Sequence, residues 1–286
     1  MRKYMKYEIK GSYKFILGIL AIVLIASTII QLYISREVKT YDMIRDPNIS
    51  VFRGFMLVLS ILVIFGAFLT AFFYIIGSFR KELYEDRGYL TFTLPLTGAK
   101  ILGTKLIVAI IWYMVLGISI LLYNLLLASI LHGTQWIEAI KRVIGLIEPR
   151  VISSVLISLG IVSVLSSLMT LILIYFSIAL SRVSIRNKRI GGLWFVIFLV
   201  LNAVISYLVF RISDTFPYYL NLDNFKILHY YELNIIPSLN TGIGQMMVFG
   251  NNYEAHINII GNLAQLLISI VAFLTTGYLI EKKIDL

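Results

Sequence analysis

The chain has 286 residues, of which 59% are hydrophobic and only 14% charged, and its formal net charge is +10. Soluble domains carry roughly 45 to 50% apolar and 25% charged residues, so a soluble enzyme is excluded and an integral membrane protein is expected. The absence of cysteine removes disulfide frameworks, thiolate metal sites, thiol nucleophiles and palmitoyl anchors together.

Read in chain order, six charge-free stretches follow one another at 15–35, 54–79, 106–131, 151–181, 190–210 and 255–280. A helix of about 20 residues, rising 1.5 Å each, crosses a hydrocarbon core of about 30 Å, and every stretch is that long. The expected fold is an all-α integral membrane protein of six transmembrane helices, a single integral-membrane domain over 1–286. Runs of this length leave no polar–apolar alternation, so a membrane barrel is disfavoured, whereas a helix satisfies its own backbone hydrogen bonds. The first stretch follows Arg2, Lys3, Lys6, Lys10 and Lys14. It is too long for the apolar core of a signal peptide and has no clear small-residue cleavage site, so it reads as a retained anchor.

With six spans both termini lie on one side. Placing them in the cytoplasm puts 16 Lys and Arg against 6 Asp and Glu inside, and 9 against 9 outside. The whole net charge then belongs to one face, the positive-inside pattern, and no soluble domain remains to carry a nucleic-acid footprint. The expected location is a cell membrane, with both termini cytoplasmic. The longest outer loop, 211–254, is rather apolar, and short helices lying in or dipping back into the outer leaflet are one expectation for it, a folded extracellular loop the other.

Within the spans the polar side chains are uncharged, namely Gln31, Asn124, Asn202, Asn262 and Gln265, with His256 near the start of the last. The lack of ionisable groups at membrane depth weighs against an ion-coupled carrier. Ser153, Gly160, Ser163, Ser167, Thr170 and Ser177, continued by Ser181, share one helical face of the fourth span. Small residues let helix backbones approach in lipid, so this face reads as a packing seam, a dimer interface included, or as a pathway lining. Gly98-Ala-Lys-Ile-Leu-Gly103-Thr104-Lys105 has the glycine spacing of a phosphate loop, but its last pair is reversed and it opens a membrane helix. Thr97 as an N-cap explains it better. The three histidines have no partner at metal spacing, so no catalytic, cofactor or metal residue is expected on the chain.

The segment 80–105 joins the second and third spans on the expected cytoplasmic face. On a helix, Phe79, Leu83, Leu90 and Leu94 form an apolar stripe, and Glu82, Glu85, Asp86 and Tyr89 form another. An amphipathic helix at the interface follows, with acidic and phenolic groups turned to the cytosol, where a soluble protein partner would meet them; a solvated charged loop is the plain alternative.

The segment Lys81-Glu-Leu-Tyr-Glu-Asp-Arg-Gly-Tyr-Leu-Thr-Phe-Thr-Leu-Pro-Leu-Thr97, followed by Lys100-Ile-Leu-Gly-Thr-Lys105, resembles the permease subunits of ABC-2 type ATP-binding cassette exporters of Gram-positive bacteria. Lys6-Tyr-Glu-Ile-Lys10 and Gly277-Tyr-Leu-Ile-Glu-Lys-Lys-Ile-Asp285 are weaker matches, and the six-span layout agrees over nearly the whole chain. The resemblance implies a coupling helix between helices 2 and 3, with Glu82, Glu85, Arg87, Gly88 and Tyr89 as contacts to an ATPase subunit and Pro95 ending the element. It also implies a second permease chain, identical or a sister, and ATP and Mg bound by the partner ATPase. The implied substrate is an antimicrobial peptide, drug or lipid-like compound. A non-transporting immunity or sensor protein is the alternative from a different class.

Overall fold

A computed structural model describes residues 2–40, 47–84, 96–133, 137–138, 141, 145, 149–184, 192–236, 245–251 and 254–283. The helices are α1 (Arg2–Thr40), α2 (Pro47–Tyr84), α3 (Gly98–His132), α4 (Pro149–Ser184), α5 (Leu193–Thr215) and α6 (Ile259–Lys282). Each contains a segment long and apolar enough to cross a membrane. Even α5, with 23 residues, measures about 35 Å at 1.5 Å per residue. This is the architecture of a multi-pass membrane protein.

The chain divides into two compact units. The first comprises Met1–Lys81 and Gly103–Lys141, hence α1 with most of α2 and α3. Ile16, Ile19, Val23 and Ala26 are buried on α1, and Ala67, Ala71, Ile75 and Phe79 on α2. Steps of three and four residues make each set a single helical stripe. The other faces leave Leu17, Ile25, Leu62, Phe65, Ile118 and Leu121 exposed. Apolar surface of this extent is unfavourable in water and is covered without cost by lipid tails.

The second unit comprises Glu82–Leu102 and Arg142–Leu286. Here α4, α5 and α6 pack on one another. In α4, Leu173, Ile174, Tyr175, Ile178 and Ala179 are all exposed by 1% or less. They enclose most of the circumference of this end of the helix, whereas Leu156, Leu159 and Val164 nearer its start are exposed.

Between α5 and α6 the structure departs from the expected span border, and its described residues form strands rather than the short helices that were one of the two expectations for this loop. Four strands, β1 (Tyr218–Asn221), β2 (Ile227–His229), β3 (Met247–Phe249) and β4 (Ala255–Asn258), form an antiparallel sheet in the order β2-β1-β4-β3. A single 3₁₀ turn, Tyr230–Glu232, is the one helical piece among the described residues of this segment. The reason is local. Tyr218 points out and Tyr219 in, the period-2 pattern of a strand. Asn221 Oδ1 then accepts the Asp223 amide at 2.7 Å, closing a side-chain turn that sends the chain back as β2. Tyr219 and Val248 are fully buried and, with Leu233, form a small core.

The expected sixth span began at residue 255, but 255–258 is strand, and α6 starts at Ile259. Asn258 sets the border, because its Oδ1 accepts the Gly261 amide at 2.7 Å, capping the helix N-terminus. At the other end of the segment, α5 continues through Arg211 and Asp214 to Thr215, past the expected border at 210.

Candidate functional site

Residues 85–95, which include Glu85, Arg87, Gly88, Tyr89 and Pro95 of the expected coupling helix, lie outside the described residues. Both borders of that segment are described, and both are fastened within the second unit. At the first, α2 runs on to Tyr84, with Leu83 buried. The Tyr84 hydroxyl donates to Ser181 Oγ of α4 at 3.1 Å. The Arg182 guanidinium lies 5.4 Å from the centroid of the Tyr84 ring, a cation–π distance. Glu82 is only 9% exposed, so its carboxylate is covered within the chain instead of standing in solvent.

At the second border, the Thr97 carbonyl accepts the Lys100 and Ile101 amides at 2.9 and 3.1 Å, starting α3 from the position expected for its cap. Gly98 follows directly and lies against Gly277 of α6, so closely that a Cβ at residue 98 would overlap the Gly277 carbonyl oxygen. The Gly98 amide, one of the donors a helix start leaves without an intrahelical partner, donates to Glu281 Oε2 at 3.4 Å. Gly98 and Ala99, which sit between the resembling segments that end at Thr97 and resume at Lys100, thus meet Gly277 to Glu281 of the closing segment.

Two other such segments meet in the first unit. Lys105 Nζ, on α3, is 2.7 Å from Glu8 Oε2 of α1 and 2.9 Å from Ser78 Oγ of α2. The lysine side chain is 3% exposed and the glutamate 17%. Trp112 Nε1 donates to Ser12 Oγ at 2.8 Å one helical turn further along. From the sequence, Glu8 and Lys105 are charges lying just outside the spans; the structure pairs them in a covered position. Lys105 at a helix start and Glu8, the single acid in a basic N-terminal segment, were visible, but nothing in the sequence matched one to the other.

The small-residue face of α4 divides in two. Ser153, Gly160, Ser163 and Ser167 are exposed, Thr170 is half-buried, and Ser177 and Ser181 are buried. Nothing lies within 4 Å of where a Gly160 Cβ would stand. Close packing of this face within the chain is therefore confined to its 177–181 end. The hydroxyls of Ser153, Ser163, Thr170 and Ser177 donate to carbonyls three or four residues back on the same helix, so they make no polar demand on a neighbour.

In the sheet, His256 is 4% exposed. Its Nε2 lies 3.9 Å from Glu254 Oε2, and the same carboxylate oxygen accepts Asn221 Nδ2 at 2.9 Å. Burial holds the imidazole below its usual value, against the opposing pull of Glu254 and Asp223. The folded state therefore prefers the neutral ring. The stability this gives is complete above pH 6.5, the ordinary histidine value, and is lost as pH falls through the lowered one. Protection of the β4 amides against exchange, taken relative to the intrinsic rate at each pH, is expected to fall on acidification from pH 7 through that window, and His256→Gln to flatten the response; identical protection profiles for the two proteins would contradict it. Among the described residues no group of three or more His, Asp or Glu side chains is placed to hold a metal ion.

Compared with protein-family models, with curated proteins and with solved structures, the chain matches none of them.

Proposed function

We propose that this chain is the membrane-spanning permease subunit of an ATP-binding cassette exporter, with ATP hydrolysed by a separate subunit that docks on residues 85–95 from the cytoplasm. The observation that carries the reading is that this segment is held at both borders, by Tyr84 on α4 and by Gly98 on α6. A force applied between the two anchors reaches two helices that pack on each other. An ATPase closing around nucleotide supplies such a force, and rocking of a packed helix group is the usual form of alternating access. The contact residues are Glu85, Arg87, Gly88 and Tyr89. Glu82 belongs to the anchor instead, because it is covered within the chain. The exposed 153–167 part of the α4 face is the surface we assign to a second permease chain, where small residues permit close helix approach.

The test is purification of the tagged chain from native membranes in mild detergent, identifying every co-purifying protein. A soluble ATPase is expected with the wild type and is expected to be lost from Glu85→Ala/Tyr89→Ala, while Tyr84→Phe keeps the complex but lowers substrate-stimulated ATP hydrolysis. Reproducible purification without an ATPase, under conditions where a known transporter complex survives, overturns the proposal and leaves a non-transporting binding protein.

A further inference from the structure

Two clusters of polar side chains inside the helices differ in their hydrogen bonding. In the first unit Ser27, Gln31 and Asn124 satisfy one another. Gln31 Nε2 donates to the Asn124 carbonyl and side-chain oxygens at 3.0 and 2.9 Å, Ser27 Oγ to the same side-chain oxygen at 2.6 Å, and Asn124 Nδ2 to the Ile120 carbonyl at 2.8 Å. That is polar glue between helices, complete without a ligand.

In the second unit a pocket of about 290 Å³ opens between α4, α5 and α6, and its polar lining is Ser166, Thr170, Asn202, Ser206 and Gln265, with Met246 beside them. Gln265 is 5% exposed. Its Nε2 donates to Ser166 Oγ at 3.2 Å, but its Oε1 has no partner among the described residues. Asn262, one turn earlier on α6, likewise has a buried Oδ1 without one. The Asn202 carboxamide, midway along α5, makes no hydrogen bond among the described residues. A buried carbonyl oxygen left unpaired costs about 1–3 kcal/mol, and native proteins rarely keep one without use.

We infer that this pocket is a binding site for an uncharged amphiphile that presents a hydroxyl or amide N–H to Gln265 Oε1, with Asn202 as its second polar contact. An orphaned acceptor asks for a donor. The described lining residues include no charged side chain, which leaves an ammonium or carboxylate without a counter-charge among them at membrane depth, where ions are costly. The volume lies near the lower end for small-molecule sites, enough for a polar head and the first part of a chain. The inference concerns binding by the isolated chain and stands whether or not an ATPase partner exists.

The test uses the purified full chain in phosphatidylcholine nanodiscs and three photoreactive probes with one acyl chain: a monoacylglycerol, its di-O-methyl ether, and an ammonium-headed analogue. The monoacylglycerol is expected to label peptides of α4, α5 and α6 about three- to tenfold more strongly than either other probe, the loss matching one or two hydrogen bonds. Gln265→Leu and Asn202→Leu are each expected to remove that preference. The second substitution takes away no hydrogen bond that holds the fold, so it remains readable if the first fails to fold. Equal labelling by the hydroxyl and methylated probes, or an unchanged preference in Asn202→Leu, overturns the assignment and leaves a pocket filled by water or acyl chains. Labelling by the ammonium probe equal to that by the monoacylglycerol overturns the requirement for an uncharged ligand.

Discussion

Glu8→Leu is expected to destabilise the protein by about 3–5 kcal/mol, whereas Glu8→Leu combined with Lys105→Met is expected to recover most of that loss. The difference follows from burial. The single change leaves an ammonium whose side chain is 3% exposed without its carboxylate at 2.7 Å. An uncompensated buried charge is far more costly than a buried pair, while an apolar pair of similar volume removes the desolvation penalty altogether. Lys105→Met alone is expected to be milder, because Glu8 keeps 17% exposure and can meet water. Thermal unfolding in detergent, followed by the fraction surviving size-exclusion chromatography, checks the order. A double variant as unstable as Glu8→Leu would show that the packing of the two side chains, and not their charge, holds α1 to α3 there.

Gly98→Ala is the second large effect, and it is steric. The added methyl would overlap the Gly277 carbonyl oxygen and stand 3.2 Å from Ile280 Cβ. The first obstacle is backbone, so no rotamer change relieves it, and the start of α3 must move away from α6. Overpacking of this kind costs about 1–3 kcal/mol. Gly277→Ala is expected to be milder, since its Cβ would meet Ala99 backbone atoms at 3.1 and 3.2 Å. Gly160→Ala meets nothing within 4 Å and is expected to be neutral in the isolated chain or stabilising by up to about 1 kcal/mol through helix propensity. Melting temperatures of the three variants in one detergent decide the order, and an equal response at positions 98 and 160 would contradict the contact.

The six helices were legible because absence of charge over 20 or more residues is a requirement of the bilayer and is written directly in composition. The helix ends were less so. Charge placed the close of the second span at residue 79, yet α2 continues to Tyr84, since Arg80 and Lys81 disrupt lipid exposure but not helix geometry. The sheet was missed because its strands are three or four residues long. Alternation over so few positions does not stand out from an apolar loop. β4 was further concealed inside a charge-free run. Of the residues expected to contact an ATPase, only Glu82 falls among those described, and its burial was not readable from a helical wheel that assumed solvent on one side. For Gln31, Asn124, Asn202, Asn262 and Gln265 the sequence showed which polar groups lie at depth. It could not show which are satisfied, because that depends on partners some 90 to 100 positions away, as Gln31 with Asn124 and Gln265 with Ser166 demonstrate.

α6 is gripped at both ends. β4 passes into it without an intervening residue, Asn258 serving as the last of the strand and the cap of the helix, and near its far end Gly277 lies against Gly98. A helix of 24 residues is a stiff rod about 36 Å long, with no slack at either fastening. The sheet and the start of α3 thus share one rigid element, and a change in how the sheet sets the first turn of α6 bears on the helix that Gly98 packs against.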